Sequence, residues 1–186
     1  MPSIQVSLIR GYSETVRRRL CRRLTDATTG ALGAKPEAVT VFLNEVDPAG
    51  YSRGGEGRAP GVAEERAPDE IVRDFLAAME ARDLDAARAH LAPDFVMSFP
   101  GTGEMTDLAE LVAWSAGRYR FVRKRFAGFD VADHADRTVV VCRGTLAGEW
   151  PDGTPFDGVR FIDRFEIRAG KLARQEVWND LAVAAR

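Results

Sequence analysis

The chain has 186 residues, of which 45% are apolar, and a formal net charge of −2. A core can form, but so balanced a charge argues against a nucleic-acid binder held by counterion release, and no run of about eighteen apolar residues exists to cross a membrane. The first apolar segment is broken by Arg10 and a basic stretch, unlike a secretory signal, so the expected setting is cytoplasmic.

Pro2 heads the first predicted element, where a residue without an amide hydrogen costs a sheet nothing. Ile4, Val6 and Leu8 alternate with Ser3, Gln5 and Ser7, the period of a half-buried strand. Ser13 is a suitable helix N-cap. Val16, Leu20, Leu24, Ala27 and Ala31 follow at helical spacing, and Gly33 is a suitable stop. Arg17, Arg18, Arg19, Arg22 and Arg23 fill the opposite face, a solvated or subunit-facing stripe. A second strand is predicted over Val39–Val46, and a crossover of this length implies a parallel pair.

The Gly-, Pro- and charge-rich stretch that follows predicts three parts: a β-α-β unit over 1–55, a linker over 56–67 and a larger domain over 68–186. Helical stripes are predicted at Ile71, Phe75, Ala78 and Met79, at Leu84, Ala87 and Leu91, and from Leu108 through Leu111, Val112 and Ser115 to Tyr119. A short strand, Phe95–Phe99, lies between the second and third. Four strands close the chain: Phe121–Phe129, Thr138–Trp150, Val159–Ile167 and Leu172–Leu181, with hairpin turns at Asp152-Gly153 and Ala169-Gly170. Helices followed by an antiparallel meander make the fold class α+β.

Several side chains carry potential chemistry. Val159, Phe161, Asp163, Phe165 and Ile167 share one face, so Asp163 is a carboxylate among aromatics, suited to acid-base work or to an ion pair with Arg143 or Arg174. Arg174, Glu176, Trp178 and Asp180 share a parity in the last strand, with Trp178 as a cavity wall and Asp180 facing a polar partner. Cys21 and Cys142 are too far apart for a metal or disulfide pattern, and neither His90 nor His134 has a partner at metal spacing. No metal or other cofactor is expected, since no phosphate loop or ligand cluster is visible.

The segment from Pro2 to Ser13, with the Leu8-Ile9-Arg10-Gly11-Tyr12-Ser13 turn and the Tyr51-Ser52-Arg53-Gly54-Gly55 ending, resembles the 4-oxalocrotonate tautomerase family. The resemblance implies that Pro2, once Met1 is removed, is the general base that moves a proton between carbons of an enolisable carbonyl compound. Arg10 and Arg53 would lower the amine pKa and bind a carboxylate or enolate, with Tyr51 as the aromatic partner. Tyr12 and Thr40 stand where the family carries arginines, which points toward a more neutral, phenolic or larger substrate, with Tyr12 donating a hydrogen bond.

The stretches from Asp69 to Gly101 and from Gly158 to Ala182 resemble the SnoaL-like branch of the nuclear transport factor 2-like fold. The resemblance implies a cone whose mouth holds small apolar or polyketide-like ligands; the residue pattern adds Tyr119 and Trp178 as core or cavity lining and Asp163 as an acid-base group. Together the two resemblances imply a cofactor-independent tautomerase, isomerase or cyclase. The alternative is a non-catalytic ligand-binding protein oligomerised by the first unit. Open sheet edges on so small a β-α-β unit imply a homo-oligomer, a dimer or a hexamer.

Overall fold

The computed structural model describes residues 1–184, which form two compact units, one ending at Glu65 and the other beginning at Arg66. In the first, β1 (Ser3–Ile9) and β2 (Thr40–Val46) pair in parallel, in register from Ser3↔Thr40 to Ile9↔Val46. The helix α1 (Glu14–Leu32) connects them. It starts because the Ser13 side chain accepts the Val16 amide at 3.3 Å, and it ends because Gly33 turns left-handed, with φ 63°, and returns its amide to Thr29. Truncating that cap with Ser13→Ala is expected to lower stability by about 1 kcal/mol, read as an earlier urea midpoint for the helical CD signal.

The inward stripe of α1 differs from the expected one. Val16, Leu20, Cys21, Leu24 and Thr28 are half-buried, whereas Ala27 and Ala31 are exposed, because the last turns run past the two-stranded sheet. The arginine face is anchored to the protein rather than purely solvated. Arg17 bonds both Glu45 oxygens at 2.9 Å, Arg18 pairs with Glu14, and Arg19 donates to the backbone carbonyls of Glu64 and Glu65.

The stretch after Gly55 is held on this unit. A small ribbon, β3 (Ser52–Arg53) with β4 (Glu56–Gly57), turns the chain back, and Glu65 accepts the Ser13 hydroxyl at 2.6 Å. None of residues 1–65 is fully buried.

The second unit is a curved six-stranded sheet with helices on its inner face. Its elements are α2 (Pro68–Glu80), α3 (Leu84–Arg88), β5 (Leu91–Ser98), β6 (Glu104–Met105), α4 (Leu108–Ser115), β7 (Phe121–Asp133), β8 (Thr138–Glu149), β9 (Pro155–Arg168), β10 (Lys171–Asn179) and α5 (Leu181–Ala184). The strand order is β6-β5-β10-β9-β8-β7. The meander β7 to β10 is antiparallel as expected, while β5 runs parallel to β10 and is longer than the short strand read from the sequence. The third helical stripe stops at Ser115, so Tyr119 lies on the loop into β7. Ala169 and Gly170 turn β9 into β10, both at positive φ.

Bulges in β7, β8 and β10 bend the sheet around its inner face. Gly144 makes the bend in β8 possible, because a Cβ there would collide with the Arg125 carbonyl oxygen. The core joins Ile71, Val72 and Phe75 of α2 to Phe95, Phe161 and Phe165 on the sheet. Phe75 meets Phe95 and Phe165 edge-on, with ring centroids 6.3 and 6.0 Å away. Among the described residues no helix is long and apolar enough to cross a membrane.

Candidate functional site

Two sets of side chains carry chemistry, one in each unit. In the first, half-buried Pro2 precedes β1, and its carbonyl accepts the Thr40 amide at 3.0 Å. Because β1 and β2 are parallel, their C-terminal ends lie together. Arg10, Tyr12 and the turn to Tyr51 and Arg53 all leave from that end. Eight residues of strand, at about 3.3 Å each, put Pro2 about 25 Å from Arg10. Within one chain the structure therefore gathers Arg10, Tyr12, Tyr51 and Arg53 away from Pro2.

Two of these four are already engaged. Arg10 lies 3.5 Å from Asp47, and the Tyr12 hydroxyl accepts the Gly61 amide at 3.0 Å. Tyr51 is 39% exposed and Arg53 lies in the exposed ribbon.

The second unit holds a cavity of about 610 Å³ between the helices and the inner face of the sheet. Phe75, Met79, Phe99, Leu111 and Phe126 give it apolar walls, and Ser115, Tyr119, Lys124 and Gln175 give it polar points. Alternation in β9 sends Val159, Phe161, Asp163, Phe165 and Ile167 inward, as expected, and Asp163 is fully buried.

The carboxylate is not alone there. Lys124 of β7 donates to its Oδ2, and the same ammonium lies 4.4 Å from the Phe161 ring centroid. The expected partners are elsewhere: Arg143 pairs with Asp130 and Arg174 with Glu104. The register explains this, since Cys142 opposes Asp163 and the next residue, Arg143, points out. Lys124 lines the cavity and Asp163 lies behind it. Asp163 Oδ1 and Gln175 Oε1 are both buried without a hydrogen-bond partner. The unfilled Gln175 acceptor and the Lys124 ammonium, both lining an apolar chamber, can bind a hydroxyl donor and a carbonyl or enol oxygen.

Beside this pair, burial first and the Asp163 charge second push the Cys142 thiol up to about 12. Iodoacetamide at about pH 8 is expected to modify half-exposed Cys21 and spare Cys142 in the native protein, and to reach both after denaturation. Mass spectrometry of the peptides distinguishes them; native labelling of Cys142 would mean that the inner face of β8 is open.

Trp178 and Asp180 are not in the chamber. Trp178 is 52% exposed on the outer face of β10, because Gln175 and Val177 take the inward positions. Asp180 accepts from Arg160 Nε at 2.6 Å, a surface brace. Sequence reasoning missed Lys124 and Gln175. The alternation Val122, Lys124, Phe126 was the available signal, a cation between two apolar inward positions.

Comparison with known proteins follows these two units. Residues 72–175 match the family model of the SnoaL-like domain, and residues 2–59 match the model described as tautomerase enzyme. No curated protein matches the chain. An NTF2-like protein of unknown function from Burkholderia pseudomallei is 22% identical, with 63% of this chain and 94% of that one covered and a TM-score of 0.53. An NTF2-like protein from Burkholderia thailandensis is 24% identical over 64% of this chain and 95% of that one, with a TM-score of 0.50. TerC, crystallised with polyporic acid, is 20% identical over 63% of this chain and 94% of that one, also with a TM-score of 0.50. At these identities the likeness is one of fold.

Proposed function

We propose, from the premise that this chain belongs to the SnoaL-like domain family and carries a tautomerase-like unit ahead of that domain, that it is a cofactor-independent isomerase acting on a small enolisable carbonyl or polyketide-like compound. The observation that carries this reading is the buried Asp163 carboxylate held by Lys124 at an aromatic-walled cavity, with acceptor atoms left unfilled. A lysine so placed stabilises negative charge developing on a carbonyl oxygen, which is what enolisation requires.

In the first unit, Pro2 is the base once Met1 is cleaved and its nitrogen becomes a secondary amine. It takes a proton from the carbon next to the carbonyl. The enolate oxygen is held by an arginine, and the proton returns to another carbon, so no oxidant or reductant is needed. About 25 Å of strand separates Pro2 from Arg10, so the arginine comes from a second copy. Two units paired antiparallel along β1 put Pro2 of one beside the Arg10 end of the other, which makes the protein at least a dimer.

A second reading, a ligand-binding protein with the first unit as an oligomerisation module, is favoured by Thr40 in the place of an arginine and by the hydrogen bond that occupies Tyr12. Intact mass and turnover of phenylenolpyruvate separate the two. The enzyme reading expects a mass lacking Met1 and decay of the enol absorbance faster than in buffer. A retained methionine, or decay at the buffer rate, leaves the binding reading.

A further inference from the structure

The charge at the cavity differs from that of the chain. Arg73, Arg82, Arg120, Arg123 and Lys124 line it against Glu80, although the whole chain is net negative. Most of these cations are committed. Arg73 lies 3.7 Å from the Phe129 ring centroid and 3.7 Å from Asp69, Arg120 is 2.6 Å from Glu149, and Lys124 holds Asp163. Two remain open. Arg123 reaches Glu80 no closer than 4.0 Å and lies 5.5 Å from the Phe121 ring centroid, leaving it 73% exposed, and among the described residues no carboxylate pairs with Arg82.

Arg82 is also held at a strained place. Its φ is 60°, in the left-handed turn that ends α2, where the Arg82 amide returns to Met79 and the Asp83 amide to Ala78. Glycine is the usual occupant of such a turn, because a Cβ there is disfavoured. A bulky arginine kept in this conformation, lining a cavity and lacking an acidic partner, suggests a charge retained for something other than the fold.

We propose that the cone cavity binds an aromatic or polycyclic carboxylic acid, with its carboxylate at Arg82 and Arg123 on the mouth and a hydroxyl on the unfilled Gln175 acceptor within. This deepens the reading of the cone as the ligand site and is independent of Pro2. About 610 Å³ accommodates a flat body of two or three fused rings between Phe75, Phe99 and Phe126. The carboxylate completes the pairing that Arg82 lacks and Arg123 makes weakly.

The test is calorimetric titration of the full chain, in a Pro2→Ala background, with 6-hydroxy-2-naphthoate and with the neutral 6-hydroxy-2-naphthamide. The acid is expected to bind about tenfold more tightly than the amide. That advantage shrinks as salt rises from about 0.05 M to about 0.5 M. It falls to about twofold or less in Arg82→Gln/Arg123→Gln and persists in Arg10→Gln/Arg53→Gln. Equal affinities in the starting protein overturn the proposal. So does a preference that survives at the cone arginines and vanishes with those of the first unit.

Arg82→Gly separates ligand binding from a structural role. It is expected to raise Tm by about 3 °C while weakening the acid. If Arg82 serves only the negative end of α2, Tm falls and the acid-to-amide ratio stays, which also overturns the proposal. Failure of the tautomerase reading appears instead as a retained Met1 or absent enol turnover, and neither changes this ratio.

Discussion

Lys124→Met is expected to lower the unfolding free energy of the second unit by about 3 kcal/mol, because it leaves the fully buried Asp163 carboxylate without a counter-charge. The reverse change is milder. In Asp163→Asn the lysine, 21% exposed, can turn its ammonium to water, so the loss is about 1 kcal/mol. The double variant, neutral on both sides, is expected to recover most of what Lys124→Met loses, a strongly non-additive cycle. All three tryptophans, Trp114, Trp150 and Trp178, belong to the second unit, so intrinsic fluorescence in urea follows that unit alone. A Lys124→Met protein with an unchanged midpoint would mean that the carboxylate finds another partner, and the acid-base reading of the chamber would fall with it.

Pro2→Ala is expected to reduce phenylenolpyruvate turnover by about 10²-fold or more, the usual contribution of a positioned general base. The tryptophan-detected unfolding of the second unit should not move. The geometry adds a sharper expectation. Arg10→Ala alone should also be poorly active, yet co-refolding it with Pro2→Ala should restore about a quarter of wild-type activity. Half of randomly paired dimers are mixed, and each mixed dimer holds one site with both groups intact. No recovery on mixing would place Pro2 and its arginine within one chain, against the length of β1.

The two proposed sites have different physical demands. The first unit has no fully buried residue, so the proton transfer proposed there would need neighbouring copies to exclude water. The second encloses its polar groups by itself, and the cations proposed to hold a carboxylate line the same cavity. A chain retaining ligand binding but lacking turnover therefore remains a coherent outcome of dissociation into single copies.

Local physics was legible in the residues themselves. Ser13 and Gly33 cap α1 because a side-chain oxygen and a missing Cβ act on their immediate neighbours. Period-2 alternation put Asp163 on the inner face of β9 because a strand has only two faces. Which cation meets that carboxylate was a matter of register across β7, β8 and β9. Lys124 is 39 residues away in the chain, and Arg143, adjacent to the opposing Cys142, faces out. The same holds for β10, where sheet pairing, and not residue type, sent Gln175 inward and left Trp178 in solvent. In the first unit the strand between Pro2 and Arg10 already put them at opposite ends, and the parallel pairing of β1 with β2 brought the turn to Tyr51 and Arg53 to the Arg10 end. Spacing along a chain determines faces and caps; the meeting of distant charges depends on strand order, bulges and register, which arise only when the sheet closes on its helices.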